Sequence, residues 1–470
     1  MKQIDYKKAS TYYFIGNIFN KGIAFITVPI FTRIMSTYDY GMVDTYNSWV
    51  AMLTMILGFA LHTGIRLAYV DYRDKFKDFT ATSMLFTILA SSVISVIIIV
   101  VCHTLNIGTS IVLIVLCLVQ SISSALITDF EYYLMMQYRY RLRTFFMILP
   151  NLLSSTLSIL AILFIYKNEV YLGRVIPTAS VNIVIALVVV VVFFNKCHVS
   201  LNKVYIKYGL AISVPLIVHG IALNILSQSD RVMITWLADA SQTGIYSLIY
   251  NFSMIATVIT TSLDGVWFPW FLSKLKERRL DDIRKITIDY VNLMTYAMVC
   301  LIFVAPEIVK LLASKEYWEG IVIIPPVVLS NYIVFIYTLY VQIEHYYKKT
   351  PYITFNTLIA AVSNLILNYM FIPKHGYVAA AYTTIASYFI SFVLHSRYAK
   401  KLEPDLYPLE MFVRPLIHIM ITSILFYVLT DYWYLRWGLM VAYFFTMLFR
   451  ERNRIFEFFP GIKDILMKRC

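Results

Sequence analysis

The residues best suited to chemistry lie in segments where charge is costly. The stretch from Ser213 to Ser247, SVPLIVHGIALNILSQSDRVMITWLADASQTGIYS, is long and apolar enough to cross a bilayer, yet it carries His219, Asp230 and Arg231. Ionisable groups in such a segment mark a functional site by default. Gly220, Asn224, Ser227, Gln228 and Arg231 recur at helical spacing and give one polar face, with His219 and Asp230 beside it. A guanidinium on that face suits an anion, phosphate oxygens above all. A carboxylate beside it can take up a proton or a cation. The plainer reading is a salt bridge between Asp230 and Arg231 near the outer interface, with Arg231 snorkelling outward.

The same pattern recurs elsewhere. The first apolar segment has a polar line through Tyr13, Asn17, Asn20, Lys21 and Thr27, and Lys21 lies near midspan, where snorkelling is hard. Further stripes run through Thr54, Gly58 and His62 to Arg66, through Gln120, Ser124, Thr128 and Glu131, through Ser253, Thr257, Thr260, Thr261 and Asp264, and through Asn331, Thr338, Gln342 and His345. Ser, Thr and Asn stripes serve as interhelical glue as readily as substrate contacts. Asp264, Glu131 and Arg66 sit toward inner helix ends, where an interfacial role is as natural as a cavity role. His62 and His219 have no ligand companions at i+3 or i+4, so no metal site is expected.

These stripes need a scaffold of membrane helices. The chain has 470 residues, 60% apolar and 14% charged, with mean hydropathy +0.70, whereas charged residues make up about a quarter of soluble domains. The reading is an all-α polytopic membrane protein with about fourteen transmembrane helices, because long apolar runs with polar residues at helical spacing exclude a barrel. The net charge of +13 belongs to cytoplasmic loops, and nucleic acid is set aside as a partner. The five cysteines lack CxxC spacing, against a disulfide or zinc framework. The first apolar run lacks a small-residue cleavage site and reads as a retained span. With no GxxxxGK[ST] sequence, neither an ATP-driven motor nor a cofactor is expected.

The 40 Lys and Arg residues set the orientation. An N-terminus and C-terminus both inside leave only Arg33, Lys167, Arg174, Lys310, Lys315, Lys374 and Arg436 in outer loops, all of them short. The inner segment KLKERRLDDIRK either sets topology alone or also attracts anionic lipid headgroups. An internal repeat relates RIMSTYDYGMVD from Arg33 to WLADASQTGIYS from Trp236, at an offset of 203 residues. The expected organisation is therefore a six-helix bundle over 1–194, an inner linker over 195–208 and a second six-helix bundle over 209–398. The bundles are related by a pseudo-two-fold along the membrane normal. Two extra transmembrane helices over 399–450 and an inner tail over 451–470 follow. A central polar cavity between the bundles, walled by spans one, two, seven and eight, is the simplest use of the wet faces.

Pro215, His219, Asp230, Arg231, Gly244, Tyr246 and Ser247, with FTRIMSTYDYG and GFALHTGIRLAY, resemble the Wzx-type polysaccharide flippases of the multidrug/oligosaccharidyl-lipid/polysaccharide (MOP) exporter superfamily. The resemblance covers most of the chain. It implies a bacterial cytoplasmic-membrane transporter, not an enzyme. Its job would be to move an undecaprenyl-pyrophosphate-linked oligosaccharide, for O-antigen, capsule or another glycan, between leaflets. Membrane lipids, a proton or sodium ion, and polysaccharide polymerase and chain-length proteins would be its partners. Lys21, Arg231 and Arg66 are then candidates for the anionic headgroup. Asn17, Asn20, Asn224, Gln228, His62 and His219 are candidates for the rest of the substrate, and Asp264, Asp230 and Glu131 for the coupling ion. One rival is a drug or metabolite exporter of the same superfamily, disfavoured for cationic drugs by Lys21 and Arg231. The other is a membrane polymerase or glycosyltransferase, which would need a sizeable outer loop.

Overall fold

A computed structural model describes residues 6–105 and 110–458. The side chains of residues 6–15, 17, 18, 21, 24, 215, 216, 256–266 and 451–458 lie outside that description. Among the described residues the protein is all helix and turn. In chain order the helices are α1 (Tyr6–Ile34), α2 (Thr37–Leu57), α3 (Leu61–Asp71), α4 (Phe76–Thr104), α5 (Ile111–Met136), α6 (Tyr140–Phe164), α7 (Leu172–Phe194), α8 (Lys203–Leu237), α9 (Ala240–Ser253), α10 (Thr257–Lys276), α11 (Leu280–Leu312), α12 (Ile324–Tyr346), α13 (Thr350–Leu402), α14 (Glu410–Val428) and α15 (Trp433–Phe458).

By length and composition, 8 helices of the described residues can cross a membrane, or up to 10 if each bent pair is one span. The count falls short of fourteen for identifiable reasons. α13 joins two expected spans across Gly376, whose backbone (φ 57, ψ −147) is non-helical. A side chain there would collide with Gln242, whose Oε1 accepts the Tyr377 N–H at 3.0 Å. Only glycine satisfies both the dihedral and the close approach. α1 and α10 run in part over residues whose side chains lie outside the description, so they do not enter that count, and α15 does not pass as an apolar span.

The apolar stretch over 45–69 is broken rather than continuous. α2 starts earlier, at Thr37, and meets α3 at a bend of 41°. Phe59 (φ 50) and Ala60 (φ 48) take left-handed backbone, which costs a non-glycine residue about 1–2 kcal/mol each. The bend frees carbonyls that membrane helices must satisfy from within the protein. Ser91 of α4 donates to Leu57 O, and Ser213 of α8 donates to Ala60 O at 3.0 Å. α8 is bent as well, by 46° between its 203–214 and 217–237 parts.

Two compact units emerge. The first holds Met1–Leu248, Leu312–Tyr317 and Thr350–Ser387; the second holds Ile249–Leu311, Trp318–Lys349 and Tyr388–Cys470. In the first, an aromatic core fixes α3, α4, α5, α7 and the start of α8. Phe76 stacks on Tyr133 at 5.3 Å, Tyr133 meets Phe193 at 4.8 Å, and Phe79 meets Tyr205 at 5.4 Å. In the second, Trp267 of α10 packs on Tyr290 of α11, and Tyr290 on Phe335 of α12. There α15 is pinned to α11 by Arg436, which pairs with Glu307. Trp437 Nε1 also donates to Glu307, at 3.1 Å. Arg436 is thus a buried structural cation, not the free outer-loop charge its sequence position suggested.

The repeat is visible at the backbone. Ser36 caps α2 by accepting the Asp39 N–H at 3.1 Å, and 203 residues on Asp239 accepts the Gln242 N–H at 3.0 Å. Asp39 then accepts the Tyr171 N–H at 3.1 Å, as Gln242 accepts that of Tyr377. The two helix starts cross with nothing between their backbones. A Cβ on Gly41 would overlap Ala240 O and lie 2.7 Å from Gly244 N, and one on Gly244 would overlap Thr37 O. Ala240 and Gly244 stand at the same offset from Thr37 and Gly41, so the contact is reciprocal, as a local two-fold makes it.

Candidate functional site

α8 positions the sequence-derived polar face. Arg231 is buried, 5% exposed, and its Nη1 donates to Ser227 O at 2.8 Å and to Gln228 Oε1 at 3.2 Å. Gln228 Oε1 also accepts from Ser48 of α2 at 3.3 Å. Thr45 and Thr235 share a hydrogen bond of 2.6 Å just beyond. The guanidinium is therefore oriented by its own helix and by α2 rather than by snorkelling. Asn224 is turned inward on the helix, donating to Gly220 O at 2.9 Å, and Ser227 follows it with a bond to Asn224 O at 3.3 Å. His219 is half-buried one turn before Asn224.

Asp230 points into a different environment. Its Oδ2 accepts from Tyr246 of α9 at 2.7 Å and lies 2.7 Å from the Thr384 hydroxyl of α13; its Oδ1 accepts from Asn368 Nδ2 at 2.7 Å. Asn368 Nδ2 also approaches Asn364 Oδ1 at 3.2 Å, Ser229 donates to Asn364 Oδ1 at 3.0 Å, and Thr383 bonds Asn368 Oδ1. All seven side chains are buried. The Thr384 hydroxyl has one hydrogen, yet it lies 2.7 Å from both Asp230 Oδ2 and Ala380 O. Its one hydrogen therefore serves one of those two acceptors at a time. Carboxylate, amide, hydroxyl and carbonyl oxygens are the donor set a hard cation takes.

The remaining sequence candidates separate. His62 and Arg66 lie on α3, just past the break, against one ring: His62 is 5.0 Å from Tyr132 and the Arg66 guanidinium carbon 5.8 Å from its centroid. Arg66 itself is exposed. Glu131, half-buried on α5, has Arg143 of α6 as its electrostatic counterpart. Asn20 ties α1 to α6 by donating to Met147 O at 2.9 Å. Asn17 and Lys21 fall on α1 and Asp264 on α10, with side chains outside the described residues. Half of the six basic residues of KLKERRLDDIRK pair within the segment, by Lys274–Glu277 at 3.0 Å, Arg279–Asp282 at 2.6 Å and Arg284–Asp281 at 3.0 Å. The hydrogen bond from Lys274 holds the Glu277 carboxyl below its ordinary range.

Asn364, Asn368 and Thr384 went unnoticed in the sequence. The one available signal was the i, i+4 spacing of the two asparagines in an otherwise apolar run, SNLILNY.

Comparison with known proteins follows from this architecture. The family model described as polysaccharide biosynthesis protein matches residues 7–276, more than half of the chain. No curated protein matches in sequence. Among solved structures, the lipid II flippase MurJ in an inward closed conformation superposes with a TM-score of 0.69 at 16% identity. The match spans 94% of this chain and 99% of that one. An inward-facing multidrug resistance MATE family transporter of the MOP superfamily gives a TM-score of 0.59 at 14% identity, over 85% and 100%. Identities this low speak for the fold alone, and the fold is that of MOP transporters. An all-helical multi-pass membrane chain with this fold and a family match over more than half its length belongs to the polysaccharide biosynthesis protein family.

Proposed function

We propose that the protein is a flippase for a lipid-linked oligosaccharide. It carries an undecaprenyl-pyrophosphate-linked glycan repeat from the inner to the outer leaflet of a bacterial cytoplasmic membrane by alternating access of its 1–194 and 209–398 halves. The observation that carries this reading is Arg231: a buried guanidinium on a membrane helix, oriented by Ser227 and Gln228. Such a cation is retained where an anionic group must be met inside the bilayer. The family match supports a glycan, and the likeness to MurJ supports a lipid-linked one. Lys21 is the second headgroup cation and Arg66 a third. Gln228, Asn224, Asn17, Asn20, His219 and His62 would contact sugars.

The coupling ion, a proton or sodium, binds at Asp230. The ring of neutral donors and the oxygen-rich set from α8 and α13 support that assignment. Asp264 and Glu131 are the alternatives.

The test is export of a surface glycan in cells. Lys21→Ala and Arg231→Ala abolish display while protein level and membrane insertion persist, and Arg231→Lys restores part of it. Wild-type display in both alanine variants rejects the headgroup role. Glycosyltransferase and polymerase genes beside this one would separate the flippase from a drug exporter of the same superfamily.

A further inference from the structure

In the second unit one carboxylate and one imidazole lie wholly inside the protein, and no transport role assigned above uses them. Glu344, in the last turn of α12, and His395, in the 377–402 part of α13, have fully buried side chains, with His395 Nδ1 2.9 Å from Glu344 Oε2. Among the described residues, Glu344 Oε1 and His395 Nε2 meet no hydrogen-bond partner. Tyr337 stacks on the imidazole at 5.7 Å and 16°, and Tyr388 stacks on Tyr337. Gln342 is occupied by Trp267 Nε1 from α10 at 2.7 Å, and the Tyr340 hydroxyl donates to Tyr407 O. His345, the next residue along α12, lies within electrostatic reach of His395. Beyond it, Tyr347 bonds to Glu403, which pairs with Arg278 at 2.6 Å.

Proton number decides what such a pair does. With one proton between them the two groups are neutral in sum, whether as carboxylate and imidazolium or as carboxylic acid and neutral imidazole. Removing that proton leaves a lone buried carboxylate, and adding a second leaves a lone buried imidazolium. Either uncompensated charge is strongly disfavoured in the interior. Packing of α12 on this part of α13 therefore tolerates one proton count, and any other must be met by opening the contact to water.

We propose that Glu344 and His395 form a proton-binding site that holds one proton between them, and that this occupancy locks α12 to the 377–402 part of α13 at the helix ends where Arg278, Tyr347 and Glu403 meet. The site shares no residue with the Asp230 cluster, and its ligand is the proton.

Hydrogen–deuterium exchange of the purified full chain in lipid nanodiscs tests the lock without any glycan. Protection factors of peptides covering 338–346 and 390–398 are followed from about pH 4 to about pH 9, a window that brackets the ordinary values of a free carboxyl and a free imidazole. In the wild type, protection is greatest in mid-range and falls toward both ends, approaching about tenfold per pH unit as single-proton linkage requires. The single variants move in opposite directions. Glu344→Gln is neutral only with unprotonated His395, so protection holds at alkaline pH and falls earlier on acidification. His395→Gln is neutral only with protonated Glu344, so protection holds at acid pH and falls earlier on alkalinisation. Glu344→Gln/His395→Gln is flat. A pH profile shared by the wild type and both single variants overturns the proposal. If one single variant fails to fold, the direction of shift in the other still decides.

Discussion

Asp230 and Arg231 are neighbours in sequence with opposite charge, yet their side chains serve different surroundings. Arg231 is held by α8 carbonyl and amide oxygens, whereas Asp230 is closed in by Tyr246, Thr384 and Asn368. Asp230→Asn preserves shape and removes the charge that would hold a cation. If sodium is the coupling ion, adding NaCl in place of KCl raises the melting temperature of the wild type through mass action and leaves that of Asp230→Asn unmoved. The substitution itself costs about 1–3 kcal/mol from mismatched buried donors. Equal salt responses in the two proteins dismiss Asp230 as a sodium site, and loss of a proton dependence of glycan export in the variant would then mark the proton instead. Both charged residues were legible in the sequence because charge in an apolar segment is conspicuous. Asn364, Asn368 and Thr384 were not, because amides and hydroxyls are cheap in membrane helices and these are brought to Asp230 from a distance of 134 to 154 residues along the chain.

Among the helices, the crossing of α2 and α9 depends on having no side chain at Gly41 and Gly244. Gly244→Ala puts a methyl group into Thr37 O, and overpacking of this kind costs about 1–3 kcal/mol. The substitution therefore depopulates the arrangement in which the two helix starts touch. Thr45 and Thr235, 2.6 Å apart at their hydroxyls, report on it. In Thr45→Cys/Thr235→Cys a disulfide forms readily on oxidation, and its yield drops when Gly244→Ala is added. An undiminished yield means that the backbones separate there at no cost. The apolar runs and the repeat made these helices legible. The break between α2 and α3 was not, since Phe59 and Ala60 have no local reason to adopt positive φ. The bend is sustained by hydroxyls from α4 and α8, which is tertiary information.

For the whole molecule, the sequence reading rests on where cations are free to interact with the membrane field, and the structure alters that inventory. Arg436 is spent on Glu307, and Arg174 lies 4.1 Å over the Phe31 ring and 5.3 Å from that of Tyr40. Both belong to the sparse outer set, so the exposed positive charge expected outside is smaller than a count of residues gives. Removing them sharpens the asymmetry that orients a polytopic chain. Pairing inside the inner segment from Lys274 to Lys285 works against this, because Asp281, Asp282 and Glu277 cancel part of its charge. Acidic residues weigh little in orientation, however, so the excess of Lys and Arg still prevails. The consequence is directly measurable with all five native cysteines replaced and one cysteine introduced at a time. Lys167→Cys and Lys374→Cys, exposed on the side expected to face outward, react with a membrane-impermeant maleimide in intact cells. Lys348→Cys and Lys400→Cys react only after permeabilisation. The reverse pattern would invert the N-in, C-in orientation and, with it, the proposed direction of transport.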